Sequence, residues 1–73
     1  MIDFTVEKVI AEISSTAISA KRLTLTSWNG RPAKLDLRTW RTDEGDAPQP
    51  GKGITLNDEE AENLAAALNS FLS

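Results

Sequence analysis

The chain has 73 residues, 40% hydrophobic and 26% charged, with a formal net charge of −3. That describes one small domain, residues 1–73, of ordinary globular composition, with no apolar run near the ~20 residues a membrane helix requires. Cysteine and histidine are both absent, which removes disulfide staples, thiolate metal sites and the usual imidazole base. No catalytic residue, metal ligand or cofactor is therefore expected, and the chain reads as a non-enzyme.

The start, Met1-Ile2-Asp3-Phe4, lacks a basic segment followed by an apolar one, so a cytoplasmic location is expected, at the nucleoid if the source is bacterial. Below roughly 70–80 residues a lone core seldom supplies more than ~3–5 kcal/mol without staples or a partner. A homodimer is the working expectation.

In chain order, the first strand is expected over about 4–13, where Val6, Val9, Ile10 and Ile13 alternate imperfectly and imply a bulge. Ser14-Ser15-Thr16 reads as a turn. The second strand, about 21–28, alternates cleanly, with Leu23 and Leu25 opposed to Arg22, Thr24, Thr26 and Trp28. The third, about 33–40, sets Leu35 and Leu37 against Lys34, Asp36, Arg38 and Trp40. An acidic, Gly/Pro-containing loop over 42–51 precedes a short fourth strand at about 53–56, marked by Ile54 and Leu56.

The period then changes. Asn57-Asp58-Glu59-Glu60 is a capping-box start with acids where the helix dipole favours them. Ala61, Leu64, Ala65, Leu68, Phe71 and Leu72 follow at helical spacing, which predicts an amphipathic helix over about 58–72. The fold class expected is α+β, four strands followed by one helix.

Asn29-Gly30 invites a two-residue type I′ turn pairing Trp28 with Arg31. Continued along the hairpin, that register would set Leu25 against Lys34 and Leu23 against Asp36, mixing the two faces. One extra residue near Pro32 repairs it, so that Leu25 meets Leu35, Leu23 meets Leu37, Thr26 meets Lys34 and Thr24 meets Asp36. The hydrophobic pattern is expected to prevail over the turn preference.

The repaired register predicts a leucine face for the helix to cover and an opposite face of cations, hydroxyls and two indoles. Residues 21–41 hold six cations (Lys21, Arg22, Arg31, Lys34, Arg38, Arg41) against Asp36 alone, whereas 53–73 hold four acids and no base. The helix acids lie a layer away, on the order of 10 Å, comparable with the ~8 Å Debye length, so the basic face can act locally despite the net acidity. Basic side chains interleaved with aromatic rings suit single-stranded nucleic acid, with cations following phosphates and rings stacking bases. The plainer readings stand beside this one. The strand face can be merely solvated, Trp28 can cap the hairpin, and Trp40 can fill a dimer core. Asp36 is expected to offset the cations through Arg22 or Arg38 as an exposed pair worth ~0–1 kcal/mol. Gly51-Lys52-Gly53 lacks the spacing of a nucleotide-binding loop and precedes a strand.

Leu35-Asp36-Leu37-Arg38, the aromatic after it, the acidic loop and Gly51-Lys52-Gly53-Ile54-Thr55-Leu56-Asn57 carry a family resemblance. Over about residues 21–72 the chain resembles the single-stranded-DNA-binding domain of transcriptional positive cofactor 4, and more closely its small bacterial homologues. The resemblance implies a four-stranded antiparallel sheet with one C-terminal helix, non-enzymatic, dimerising through helices that here would present Leu64, Leu68, Phe71 and Leu72. It also implies single-stranded DNA as partner, bound without sequence preference. By position, Trp28 matches the hairpin aromatic, Arg31 or Lys34 the basic residue after the turn glycine, Arg38 the strand arginine and Lys52 the lysine between glycines. Asn29 and Gln49 stand where the eukaryotic form is basic, and the serine-rich basic tail is absent.

Together these readings nominate Lys21, Arg22, Thr26, Trp28, Asn29, Arg31, Lys34, Arg38, Trp40 and Lys52 for strand contact. The expected function is sequence-tolerant binding of single-stranded DNA, or RNA, in transcription regulation, replication or repair, with the transcription machinery as a further partner. The alternative is a small dimeric protein-interaction module that binds no nucleic acid, which high salt would spare.

Overall fold

A computed structural model describes residues 3–43 and 47–73. Glu44, Gly45 and Asp46 of the expected acidic loop, and Met1-Ile2 of the start, lie outside the described residues. Four antiparallel strands run in sequence order across one sheet: β1 (Phe4–Ser15), β2 (Ser19–Trp28), β3 (Lys34–Arg41) and β4 (Gln49–Leu56). One helix, α1 (Asp58–Leu72), follows. The fold is α+β, a four-stranded antiparallel sheet and a single C-terminal helix. No helix among the described residues is long and apolar enough to cross a membrane.

Leu23 pairs with Leu37, Thr24 with Asp36, Leu25 with Leu35 and Thr26 with Lys34. The turn preference is satisfied as well, contrary to the expectation that one must yield. Asn29 and Gly30 both adopt positive φ, 53° and 75°, and the Arg31 N–H donates to the Trp28 carbonyl at 3.0 Å. This is the type I′ turn, and the extra residue is taken up within 31–33, before the ladder resumes at Lys34.

Three strands are longer than expected, β2 by beginning at Ser19 rather than at residue 21. β1 continues through Ser15, so the turn moves to 16–18, where the Thr16 hydroxyl accepts from the Ser19 N–H at 3.1 Å. β4 begins at Gln49 rather than at residue 53. A bulge between Arg38 and Trp40 allows it to pair past Gly51 and Lys52 to Pro50.

β1 carries three bulges rather than one. Its register against β2 skips Glu7, Ile10 and Ile13, one residue in every three. Each insertion bends the strand and increases its twist. The repeated bending explains the imperfect alternation of the sequence, and it decides which face of the sheet is sealed.

The buried residues do not lie on the leucine face. Ala20, Thr24, Thr26, Asp36 and Trp40 are the most buried, and all belong to the opposite face. Phe4 and Val6 of the coiled β1 pair with Trp28 and Thr26 on that same side, and Pro48 adjoins Trp40. The sheet thus makes a small core in its own hollow. Across the sheet, Leu23, Leu25, Leu35 and Leu37 are only half-buried. The helix reaches the sheet at β4, and a groove remains open between Leu23, Leu35 and Leu56 on one side and Ala61, Leu64, Ala65 and Leu68 on the other. Covering of the leucine face by the helix is therefore incomplete, and Phe71 and Leu72 are 84% and 76% exposed.

The helix starts as its sequence dictates. Asn57 caps it, its Oδ1 accepting from the Glu60 N–H at 2.7 Å while Glu60 Oε1 accepts from the Asn57 N–H at 2.8 Å. Both halves of the capping box are present, and α1 has well-satisfied ends but no buried residue.

Candidate nucleic-acid interface

The hollow face is organised around one carboxylate. Asp36 on β3 is 0% exposed, and its oxygens accept from Arg38 Nε at 2.5 Å and Nη2 at 2.8 Å. Oδ2 also accepts from Trp28 Nε1 at 3.1 Å. Alternation brings Asp36 and Arg38 to the same face of β3, and the neighbouring strand brings Trp28 beside them. A buried carboxylate needs such partners, since an unpaired charge in the interior is expensive. The expected exposed ion pair is therefore corrected: Asp36 chooses Arg38, and the pair is interior.

Arg38 is fixed at further points. Its Nη1 donates to the Gly51 carbonyl at 3.1 Å, and its guanidinium lies 4.5 Å from the centroid of the Trp28 ring, within cation–π range. Phe4 supports the same ring at 5.5 Å and touches Trp40 at 5.6 Å. Trp28 is therefore held by an in-plane hydrogen bond, a cation and an aromatic neighbour, yet remains half-exposed.

The glycines around Lys52 make this arrangement fit. A Cβ on Gly53 would collide with the Arg38 Cβ and stand 2.5 Å from the Leu37 carbonyl oxygen, and one on Gly51 would stand 2.9 Å from that of Thr39. Gly51-Lys52-Gly53 is a close-approach segment at a bulge. A glycine inside a strand signals this role, which is distinct from both the phosphate loop and the family motif read from the sequence.

Beside Trp28 lies a concavity of about 210 Å³ lined by Trp28, Arg31, Pro32, Lys34 and Thr55. It brings together three of the expected residues. Arg31 and Lys34 are exposed, and neither has an ion-pair partner among the described residues. Lys52 is exposed at the β4 bulge, and Arg22 is half-buried, 3.6 Å from Glu12.

Four nominated residues are placed differently from expectation. Thr26 is sealed, its hydroxyl 2.7 Å from that of Thr24, so each satisfies the other and neither can reach a strand. Trp40 is 2% exposed beneath Phe4, so it cannot stack a base in the open; the curl of β1 buries it. Lys21 pairs with Thr39, two residues from Leu23, which puts it on the leucine face, opposite Arg22. Asn29 is exposed but engaged, accepting from the Asp3 N–H through Oδ1 at 3.3 Å while its own N–H donates to the Asp3 carbonyl at 2.7 Å. Phe4 is the residue that the sequence reading missed. Its pairing with Trp28 becomes visible only once the β1 register is known.

Beyond the hollow, Arg41 is bonded to Asp43 at 2.8 Å, and its guanidinium holds that carboxyl below the usual value. No group of three or more acidic residues among the described ones is arranged to hold a metal ion. Trp40 Nε1 is buried and meets no acceptor there.

These features define a small sheet-and-helix domain with a basic, aromatic hollow. Residues 16–67 match the family described as transcriptional coactivator p15 (PC4), which is most of the chain. The chain belongs to that family, as the resemblance read from the sequence implies. The matched segment runs from before β2 to well into α1 and leaves β1 outside it. The chain is also similar to an uncharacterized protein of Treponema pallidum (strain Nichols), 48% identical over 45 residues, covering 62% of this chain and 49% of that protein. It thus spans about half the length of the curated relative it matches. Family membership supports a nucleic-acid-binding, regulatory role in general terms.

Proposed function

We propose that the protein binds single-stranded DNA through the hollow face of its sheet, without reading sequence and without catalysing a reaction, and acts in transcription regulation, replication or repair. The observation that carries this reading is Trp28, braced by Asp36, Arg38 and Phe4, beside the uncommitted cations Arg31 and Lys34 in one concavity. Preorganised aromatic surface with free positive charge suits a strand whose bases are unstacked and whose phosphates are accessible. A duplex would require an element shaped to enter a groove, and the one helix begins with Asp58, Glu59 and Glu60.

The proposal includes a dimer. Half-buried leucines on the sheet and an exposed Leu64-Leu68-Phe71-Leu72 stripe on α1 leave one continuous apolar surface in the single chain. A second copy applied there would cover it and leave both hollows facing solvent.

The test is titration with oligo-dT followed by tryptophan fluorescence. Trp28 is half-exposed and Trp40 only 2% exposed, so a strand on the hollow face quenches Trp28 most directly. Binding at low salt should weaken as log K falls by ~0.7 per phosphate neutralised for each unit of log salt. Parallel titration with oligo-rU compares RNA. No quenching at low salt, or binding indifferent to salt, would reject this reading in favour of a protein-interaction module.

A further inference from the structure

A second concavity opens on the same face, about 320 Å³, between β1 and the 47–48 segment. Its walls are Phe4, Val6, Val9, Trp40, Ala47 and Pro48, with Arg22 and Thr24 as the polar members. We infer that this pocket receives one base of the bound strand, with Arg22 meeting a neighbouring phosphate. The inference rests on the single-strand reading above but assigns a place that reading does not contain. Phe4, Val6 and Val9 belong to β1, which lies outside the segment shared with the family.

The chemistry of the walls selects the occupant. The Thr24 hydroxyl is already committed to Thr26, so what remains is apolar surface with a single cation at its side. A nucleotide has the same division, a flat ring that gains by leaving water and an anion that does not. The volume is at the lower end for a small-molecule site, which suits one base.

Arg22 is available for that anion. Its recorded partner, Glu12, is 3.6 Å away, beyond hydrogen-bonding distance, and such a surface pair is weak. The pocket is continuous with the proposed interface as well, because the Phe4 ring touches Trp28 on one hand and Trp40 on the other. A strand resting on Trp28 has an apolar path across Phe4 into the pocket.

The experiment uses the full chain and oligo-dT carrying 5-iodouracil, irradiated and then mapped by mass spectrometry. Phe4, Trp28 and Trp40 fall on different tryptic peptides. Crosslinks to Phe4 or Trp40 are expected in addition to those at Trp28. Val9→Trp, which fills the pocket, should abolish the Phe4 and Trp40 crosslinks and keep those at Trp28. It should also weaken binding about tenfold, the scale of one lost base contact, with the salt slope unchanged. Crosslinks confined to Trp28, or a folded Val9→Trp variant that binds as tightly as the parent, would overturn the pocket while leaving the strand-binding reading intact. Parent protein that fails to bind oligo-dT at all would remove both. Should Val9→Trp fail to fold, the crosslink map of the parent decides alone.

Discussion

The Asp36 carboxylate and the Arg38 guanidinium meet side-on, two oxygens against two nitrogens at 2.5 and 2.8 Å, with the carboxylate fully buried and the arginine side chain 15% exposed. An arginine that the sequence presents as a phosphate contact is first of all the counter-ion of an interior acid. Arg38→Ala should therefore cost roughly 3–5 kcal/mol, because it strands that acid. Asp36→Leu combined with Arg38→Met should cost much less than the two single changes added together. Urea unfolding of Arg38→Ala, the two singles and the double checks this, and an Arg38→Ala cost below about 1 kcal/mol would mean that the pair is solvated.

Strand affinity should separate into two components. Arg31→Ala and Lys34→Ala alter exposed, unpaired cations, so each should lower the salt slope by about 0.7 with the fold unchanged. Trp28→Ala should weaken oligo-dT binding by ~1–3 kcal/mol at nearly constant slope. Fluorescence anisotropy with labelled oligonucleotide across a salt series measures both quantities. An unchanged slope in the two cation variants would move the phosphate path elsewhere.

The glycines should respond unequally. Gly30 faces open space, so Gly30→Ala should cost about 1 kcal/mol, from the positive φ alone. Gly53→Ala drives a methyl group into the Arg38 backbone region and should cost more than the ~1–3 kcal/mol of ordinary overpacking. Thermal melts of both variants make the comparison, and equal losses would contradict it.

Leu68→Glu with Phe71→Glu should convert a two-chain species into a one-chain species in sedimentation equilibrium. Phe71 is 84% and Leu68 49% exposed in the single chain, so their replacement removes little internal packing. Asn57→Ala, by contrast, should cost about 1 kcal/mol through loss of the cap, while its surface stripe is untouched. If the double variant and the parent have the same mass, the apolar stripe serves another purpose.

The central hairpin was legible because four leucines at alternate positions admit one register, and α1 because its cap and its apolar spacing agree. The buried side of the sheet was not legible in the same way. Binary pattern assigns the core to the leucines, but three insertions in β1 close the strand over the opposite face and bury a tryptophan, two threonines and an ion pair there. Those insertions leave only a blurred alternation in the sequence. The site residues divide accordingly. Trp28, Arg31 and Lys34 lie close in sequence around one tight turn and were readable together, whereas Phe4 joins them through pairing across the chain.

The one-in-three rhythm of bulges in β1 has a consequence at the outer margin of the sheet. A twelve-residue border carrying Val9, Ile10 and Ile13 in water would ordinarily invite other chains to add strands and grow fibrils. Interrupted every third residue, it offers no straight template longer than a few peptide units. Deleting Glu7, Ile10 and Ile13 to straighten it would trade a curled, self-limiting edge for an aggregation hazard.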